Sequence, residues 1–209
     1  MTPDELVARF GGRFSEELGI DLRSGNSAET FKWLLAAMLF GARISWKIAE
    51  KTWRRFERHD VLAPEAILKT GWHGLVAILD EGGYVRYDFK TATKLLEAAG
   101  NLESGYGGNL NLLHSQASDP AELERKLIAL AKGVGPITVG IFLREMRGLW
   151  EKAQPLPSEK TVAAAKALGF VPENVDDRKE ALELLLKACG KKGLPDFESA
   201  LLRWARKRK

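Results

Sequence analysis

The stretch ETFKWLLAAMLFGARISWKIAEKTWRRFERH, residues 29–59, constrains the fold more than any other. Phe31, Leu34, Leu35, Met38 and Leu39 recur three and four residues apart, which puts them on one face of a helix. Gly41 interrupts the run. A second helix is expected from about Ser45, with Ile48, Trp53 and Phe56 inward and Lys47, Lys51, Arg54, Arg55 and Arg58 outward. Helical periodicity dominates the rest of the chain, and no segment has the period-two alternation of a half-buried strand. The expected class is all-α, with about ten helices.

Turn chemistry divides the remainder. Pro64 opens a pair of short helices that Gly82 and Gly83 end, and Gly100 is expected to close the next helix, YDFKTATKLLEAAGNL. The glycine- and asparagine-rich GYGGNLNLLHSQASDP, residues 105–120, is expected to be a loop. Asp119 should cap a helix with Pro120 in its first turn. A turn Gly133-Val134-Gly135-Pro136 leads into a helix ITVGIFLREMRGLW, and the proline-bearing EKAQPLP forms a loop. Ser158 is placed to cap the helix after it, a further helix spans Asp177 to Cys189, and Pro195 opens the last. The apolar residues are spread too widely for one simple bundle, so two helical lobes are expected.

Composition narrows the partners without naming one. The chain has 209 residues, enough for a sizeable core, and a formal net charge of +4, which is compatible with a polyanion but does not require it. A single cysteine, Cys189, excludes a disulfide within the chain and a cysteine-ligated iron–sulfur cluster, and is read as a buried helix residue. His59, His73 and His114 lack metal-ligand spacing, so no metal is expected from side chains. With no signal-peptide pattern and no membrane-length apolar run, the expected location is the cytoplasm, in association with the nucleoid, as a monomer.

The segment around residue 133 carries the functional reading. A helix, G-V-G and a second helix make a helix–hairpin–helix signature. Gly133 and Gly135 allow close approach of a phosphate, and the N-terminus of the following helix offers unpaired N–H groups and a positive dipole end. Pro136 has no N–H, so the donors must come from the glycines, Ile137 and Thr138. Lys132 precedes the turn. The bland alternative is an ordinary tight turn between helices.

LAKGVGPITVGIFL resembles the hairpin of the endonuclease III and 8-oxoguanine glycosylase superfamily of base-excision DNA glycosylases. FKWLLAAMLFGARIS is similar to that family's first core helix and following loop. LDEGGYVRYDFKTATKLLEAA is similar to its glycine–aromatic turn and next helix, and EKTVAAAKALGF to the helix after the catalytic loop. The resemblance covers roughly residues 28–170 in the family's order. It implies a six-helix lobe over 28–148 carrying the hairpin, and a second lobe from 1–27 plus 149–209. It also implies bent double-stranded, damaged DNA as partner, with one nucleotide rotated out of the stack.

The same resemblance exposes two departures. The family's nucleophilic lysine falls at Ile137, which removes the usual Schiff-base route to strand cleavage but not base removal. The family's aspartate, which stabilises positive charge on the sugar, falls near Ser158. Ser158 can cap a helix but carries no charge. The nearest carboxylate is Glu159, either a substitute acid or a first-turn glutamate favoured by the helix dipole. Three readings stay open: a base-removing enzyme using Glu159, a DNA binder without chemistry, and a helical interaction module unrelated to DNA.

Other positions follow from the resemblance. Arg43, after Ala42, sits where relatives fill the gap left by a flipped base, and reads equally as an arginine on a solvated loop. Tyr84, Arg86 and Tyr87 are candidates for stacking or phosphate contact, the tyrosines equally for closing the lobe interface, and Lys90 is a candidate phosphate contact by position. Arg144 and Arg147 are read as interlobe salt-bridge partners in preference to DNA ligands, Trp150 as a pocket residue, and the basic tail RWARKRK as a solvated end or a nonspecific phosphate contact. No organic cofactor is expected. A monovalent cation at the hairpin carbonyls is left open.

Overall fold

The computed structural model describes residues 1–190 and 193–207. Among them every regular element is helical, apart from a lone bridge between Arg147 and Trp150. In chain order they are α1 (Pro3–Phe10), α2 (Phe14–Glu17), a 3₁₀ turn (Leu22–Ser24), α3 (Ser27–Phe40), α4 (Trp46–Arg58), α5 (Pro64–Gly82), α6 (Asp88–Tyr106), α7 (Leu110–Ser115), α8 (Pro120–Ile128), α9 (Pro136–Met146), α10 (Glu159–Ala167), α11 (Arg178–Ala188) and α12 (Leu194–Lys207). No helix among the described residues is long and apolar enough to cross a membrane. The chain divides into two compact units, Ile20–Ala153, and Met1–Gly19 with Gln154–Lys209.

The larger unit is built on α3, which packs against α4, α6, α7 and α9. Asn26 starts it, its side chain accepting from the Ala28 N–H at 2.9 Å. The apolar residues expected on one face are all buried, but so are Thr30, Trp33, Ala36 and Ala37 on the other faces. A helix apolar on all sides belongs inside a protein, and α3 does. The Trp33 indole N–H donates to the Phe142 carbonyl at 3.1 Å, which satisfies its one polar atom in the core.

Two glycine-based boundaries differ from expectation. Gly100 does not close α6. The helix continues through Leu102, fully buried, and Asn101, whose amide donates to the Leu130 carbonyl at 3.0 Å. It ends instead at Gly107, in the left-handed conformation. The segment expected as a loop contains α7, started by Asn109, whose side chain accepts from the Asn111 N–H at 2.9 Å. The two short helices expected between 63 and 83 are present as α5, broken at Gly71, where φ is 67° and ψ 173°. The helix after the hairpin ends at Met146, four residues short of Trp150.

The smaller unit brings together α1, α10, α11 and α12. Leu6, Val7 and Phe10 pack with Ala164, Ala165, Leu185, Phe197 and Leu201, and the Phe170 and Phe197 rings meet edge to face at 5.2 Å. A capping box holds the first turn of α1: Thr2 Oγ1 accepts from the Glu5 N–H and Glu5 accepts from the Thr2 N–H. At its other end Arg203 Nη1 donates to the carbonyls of Phe10, Gly11 and Gly12 at 2.9, 3.1 and 2.6 Å. Cys189 is not a buried interior residue but the partly exposed C-cap of α11, its thiol donating to the Leu186 carbonyl at 3.3 Å.

Candidate functional site

The hairpin lies between α8 and α9. Gly133 has φ 95°, a region closed to most side chains, which lets the chain reverse over Val134. Val134 is buried, and its N–H donates to the Ala131 carbonyl at 3.0 Å. Gly135 is the N-cap of α9 and has no side chain to satisfy the first turn; Pro136 follows with no N–H to give. The helical ladder begins at Val139, whose N–H donates to the Gly135 carbonyl at 3.0 Å. The Ile137 and Thr138 N–H groups precede it and have no i−4 partner within the helix. Lys132 and Ile137 project outward, Ile137 with 71% of its surface exposed.

The C-terminal end of α3 holds this turn in place. The Thr138 side chain is buried against Gly41, so tightly that a Cβ at Gly41 would collide with Thr138 Oγ1 and lie 3.3 Å from its Cα. Thr138 therefore serves packing with its side chain, and only its backbone N–H is left for a ligand. Lys94 of α6 runs beneath the turn, its Cδ 3.8 Å from where a Cβ of Gly133 would sit. Its Nζ donates to the Met38 carbonyl at 3.2 Å. Burial strips water from this ammonium and lowers its pKa from 10.5 to about 8. Tyr84 ends at the same place, donating to the Leu39 carbonyl at 2.6 Å.

Tyr84 is thus not a surface ligand. It is completely buried, and burial raises its phenol pKa well above the ordinary value. Its role is to tie the corner between α5 and α6 to α3. That corner carries Arg86 and Lys90 on the surface, Arg86 with its guanidinium 5.5 Å from the Tyr87 ring centroid. Arg43 is exposed on the turn after α3, two residues past the Gly41–Thr138 contact. The segments bearing Arg43, Arg86 and Lys90, and Lys132 and Ile137 therefore all converge on the end of α3. Among the described residues, none of these four cations has a carboxylate within ion-pair distance. The α5–α6 corner also bears Asp80 and Asp88; partial desolvation and then the Asp88 charge raise the Asp80 pKa, so the surface is not uniformly positive.

Ser158 and Glu159 belong to the smaller unit. Ser158 Oγ accepts from the Thr161 N–H at 3.1 Å and lies 2.8 Å from Thr161 Oγ1, so the serine is a working N-cap. Glu159 is the first residue of α10 and is exposed. The proline loop before them is held by Arg178, whose Nε donates to the Pro157 carbonyl at 2.8 Å and Nη2 to that of Leu156 at 3.4 Å. Nothing in the sequence around Arg178 singled it out, because its partners are backbone atoms.

Trp150, expected in a pocket, is buried in the larger unit. It stacks on His114 at 4.7 Å and donates to Asn111 Oδ1 at 3.0 Å, binding α7 to the end of α9. His114 accepts a 3.5 Å contact from the Lys152 N–H, and burial lowers its pKa. Arg144 lies 3.6 Å from the buried Glu145, and Arg147 caps α9. The last two residues of the basic tail lie outside the described residues; Arg203, Arg206 and Lys207 are the C-terminal cations of α12.

Chemically, the hairpin offers backbone N–H donors and exposed cations, the equipment for holding an anion. It has no outward amine in its first turn, since Ile137 stands there and Lys94 Nζ is turned inward to Met38. Among the described residues no group of His, Cys, Asp or Glu is arranged to hold a metal ion. No protein-family model matches the chain, and no curated protein matches it.

Proposed function

We propose that the protein binds duplex DNA through the 132–138 hairpin and removes a damaged or mismatched base without forming a Schiff base, as a DNA glycosylase-like enzyme. The observation that carries the reading is the uncapped start of α9, with Gly133 at positive φ and the Ile137 and Thr138 N–H groups ahead of the helical ladder. Arg43, Arg86, Lys90 and Lys132 on the converging segments supply phosphate contacts. Ile137 in place of an amine supports base removal alone, and Glu159 is the carboxylate assigned to stabilise the sugar cation.

A second reading, a binder of damaged or bent DNA that does no chemistry, is favoured by the Ser158–Glu159 geometry: a serine engaged as a cap and an exposed glutamate. End-labelled duplexes carrying uracil, a G·T mismatch, 8-oxoguanine, an alkylated purine or an abasic site separate the two. Breaks appearing only after hot alkali, and lost in Glu159→Gln, are expected of the enzyme. Salt-sensitive binding with no breaks on any duplex would establish the binder. No binding to any duplex at low salt would end both readings.

A further inference from the structure

The smaller unit contains a cavity of about 230 Å³ at the junction of α1 and α12, lined by Arg9, Phe10, Gly11, Glu17, Arg203, Arg206 and Lys207. Arg203 is already committed. It closes the C-terminal end of α1 through three carbonyls, lies over the Phe14 ring at 4.1 Å, and has Glu17 2.9 Å from Nη2. With Glu17 and the carbonyl end of α1 facing Arg203, the negative groups of the cavity are engaged.

Arg9 and Lys207 are not compensated in this way. The Arg9 guanidinium sits 5.2 Å and the Lys207 ammonium 5.0 Å from the centroid of the same ring, Phe10. Among the described residues neither has a carboxylate within ion-pair distance. Two cations thus stand over one largely buried ring, each attracted to its π system, and both line a cavity that already holds a third. Holding like charges together in water costs energy that an anion between them recovers, and two cations with rotatable donors match the oxygens of a phosphate group.

We propose that this cavity is a phosphate-binding site, taking either the backbone phosphate of a nucleic acid or a free phosphate. The proposal does not rest on the hairpin reading, since every residue of the site lies in the other unit. The test uses the full chain and the paired variant Arg9→Gln/Lys207→Gln, with Lys179→Gln/Lys187→Gln on α11 as a charge-matched control. Thermal unfolding in 20 mM inorganic phosphate is compared with chloride at equal ionic strength (~20 mM is set by the millimolar affinities of weak anion sites). Binding to a fluorescent duplex is measured from low to moderate salt.

A phosphate-specific rise in Tm that the site variant loses and the control keeps would assign a free-phosphate site. If phosphate gives no such rise, but log–log salt dependence of duplex binding falls by about two in the site variant alone, the site takes backbone phosphate. Equal behaviour of the site variant and control in both assays overturns the proposal. So does a phosphate response that survives Arg9→Gln/Lys207→Gln. A cooperative unfolding transition in chloride shows that the variants are folded. If the pair does not fold, each single variant is measured in the same way and must show a partial loss.

Discussion

α10 and α9 begin in opposite ways. α10 opens on Ser158, whose hydroxyl turns back and satisfies the Thr161 N–H at 3.1 Å. α9 opens on Gly135 and Pro136, with no side-chain cap at all. The first helix is closed on itself. The second leaves its first-turn donors without a side-chain cap and relies on neighbours to hold it, with Thr138 wedged against Gly41 and Lys94 beneath Gly133. A capping side chain satisfies part of a helix's first turn from within; an uncapped start leaves more of it to an anion that reaches it.

The largest expected effect concerns the support beneath the open turn. Lys94 has a folded-state pKa near 8, below its ordinary 10.5, so the unfolded chain binds the extra proton between those values. Stability attributable to this residue must therefore rise as pH increases through that window. Its charged form opposes folding below pH 8, and the opposition is relieved above about 10.5. Measured by urea denaturation, wild type should gain about 3 kcal/mol relative to Lys94→Met between pH 7 and pH 11. A constant difference would mean that the ammonium stays charged when buried, and that the turn rests on an ion, not on a neutral amine.

A smaller effect is expected at the turn itself. Gly133→Val forces a β-branched side chain into φ 95° and should cost about 2 kcal/mol in the same denaturation. Duplex affinity at fixed salt should fall as well, because the N–H groups of the turn are displaced. Stability loss with unchanged affinity would detach the open helix start from DNA binding. The smallest change lies at the closed start: Ser158→Ala should cost about 1 kcal/mol, the usual loss for a capping hydroxyl. A cost near zero would mean that Ser158 caps α10 in geometry but not in energy.

How much of this was legible in the sequence depends on who satisfies whom. Caps supplied by the nearest residues were readable: Asp119 with Pro120, and Ser158, act where the pattern placed them. Partnerships across the fold were not. Tyr84 reads as an aromatic after a double glycine, for stacking or for packing, and nothing local names its partner, the Leu39 carbonyl 45 residues away. Lys94 follows Lys90 by one helical turn, and the sequence pattern did not single it out. Its apolar neighbours Ala92 and Leu95 were the only hint that the helix turns it inward. Gly100 reads as a stop because glycine is a poor helix former, but the buried contacts of Asn101 and Leu102 outweigh a propensity cost of about 1 kcal/mol. At the candidate site, the hairpin was visible as a local pattern, whereas its convergence with the Arg43 turn and the α5–α6 corner depends on α3 and could not be read locally.

The three carbonyls that Arg203 gathers at the end of α1 impose an order on biosynthesis. Arg203 and Phe10 are 193 residues apart in the chain. At ribosomal rates of 5–20 residues per second, α1 leaves the exit tunnel about 10–40 s before its partner helix is made. The intervening unit, Ile20–Ala153, is complete in sequence well before then and can fold while synthesis continues. Throughout that interval the apolar stripe of Leu6, Val7 and Phe10 lacks its α12 partners Phe197 and Leu201 and stays open to chaperones.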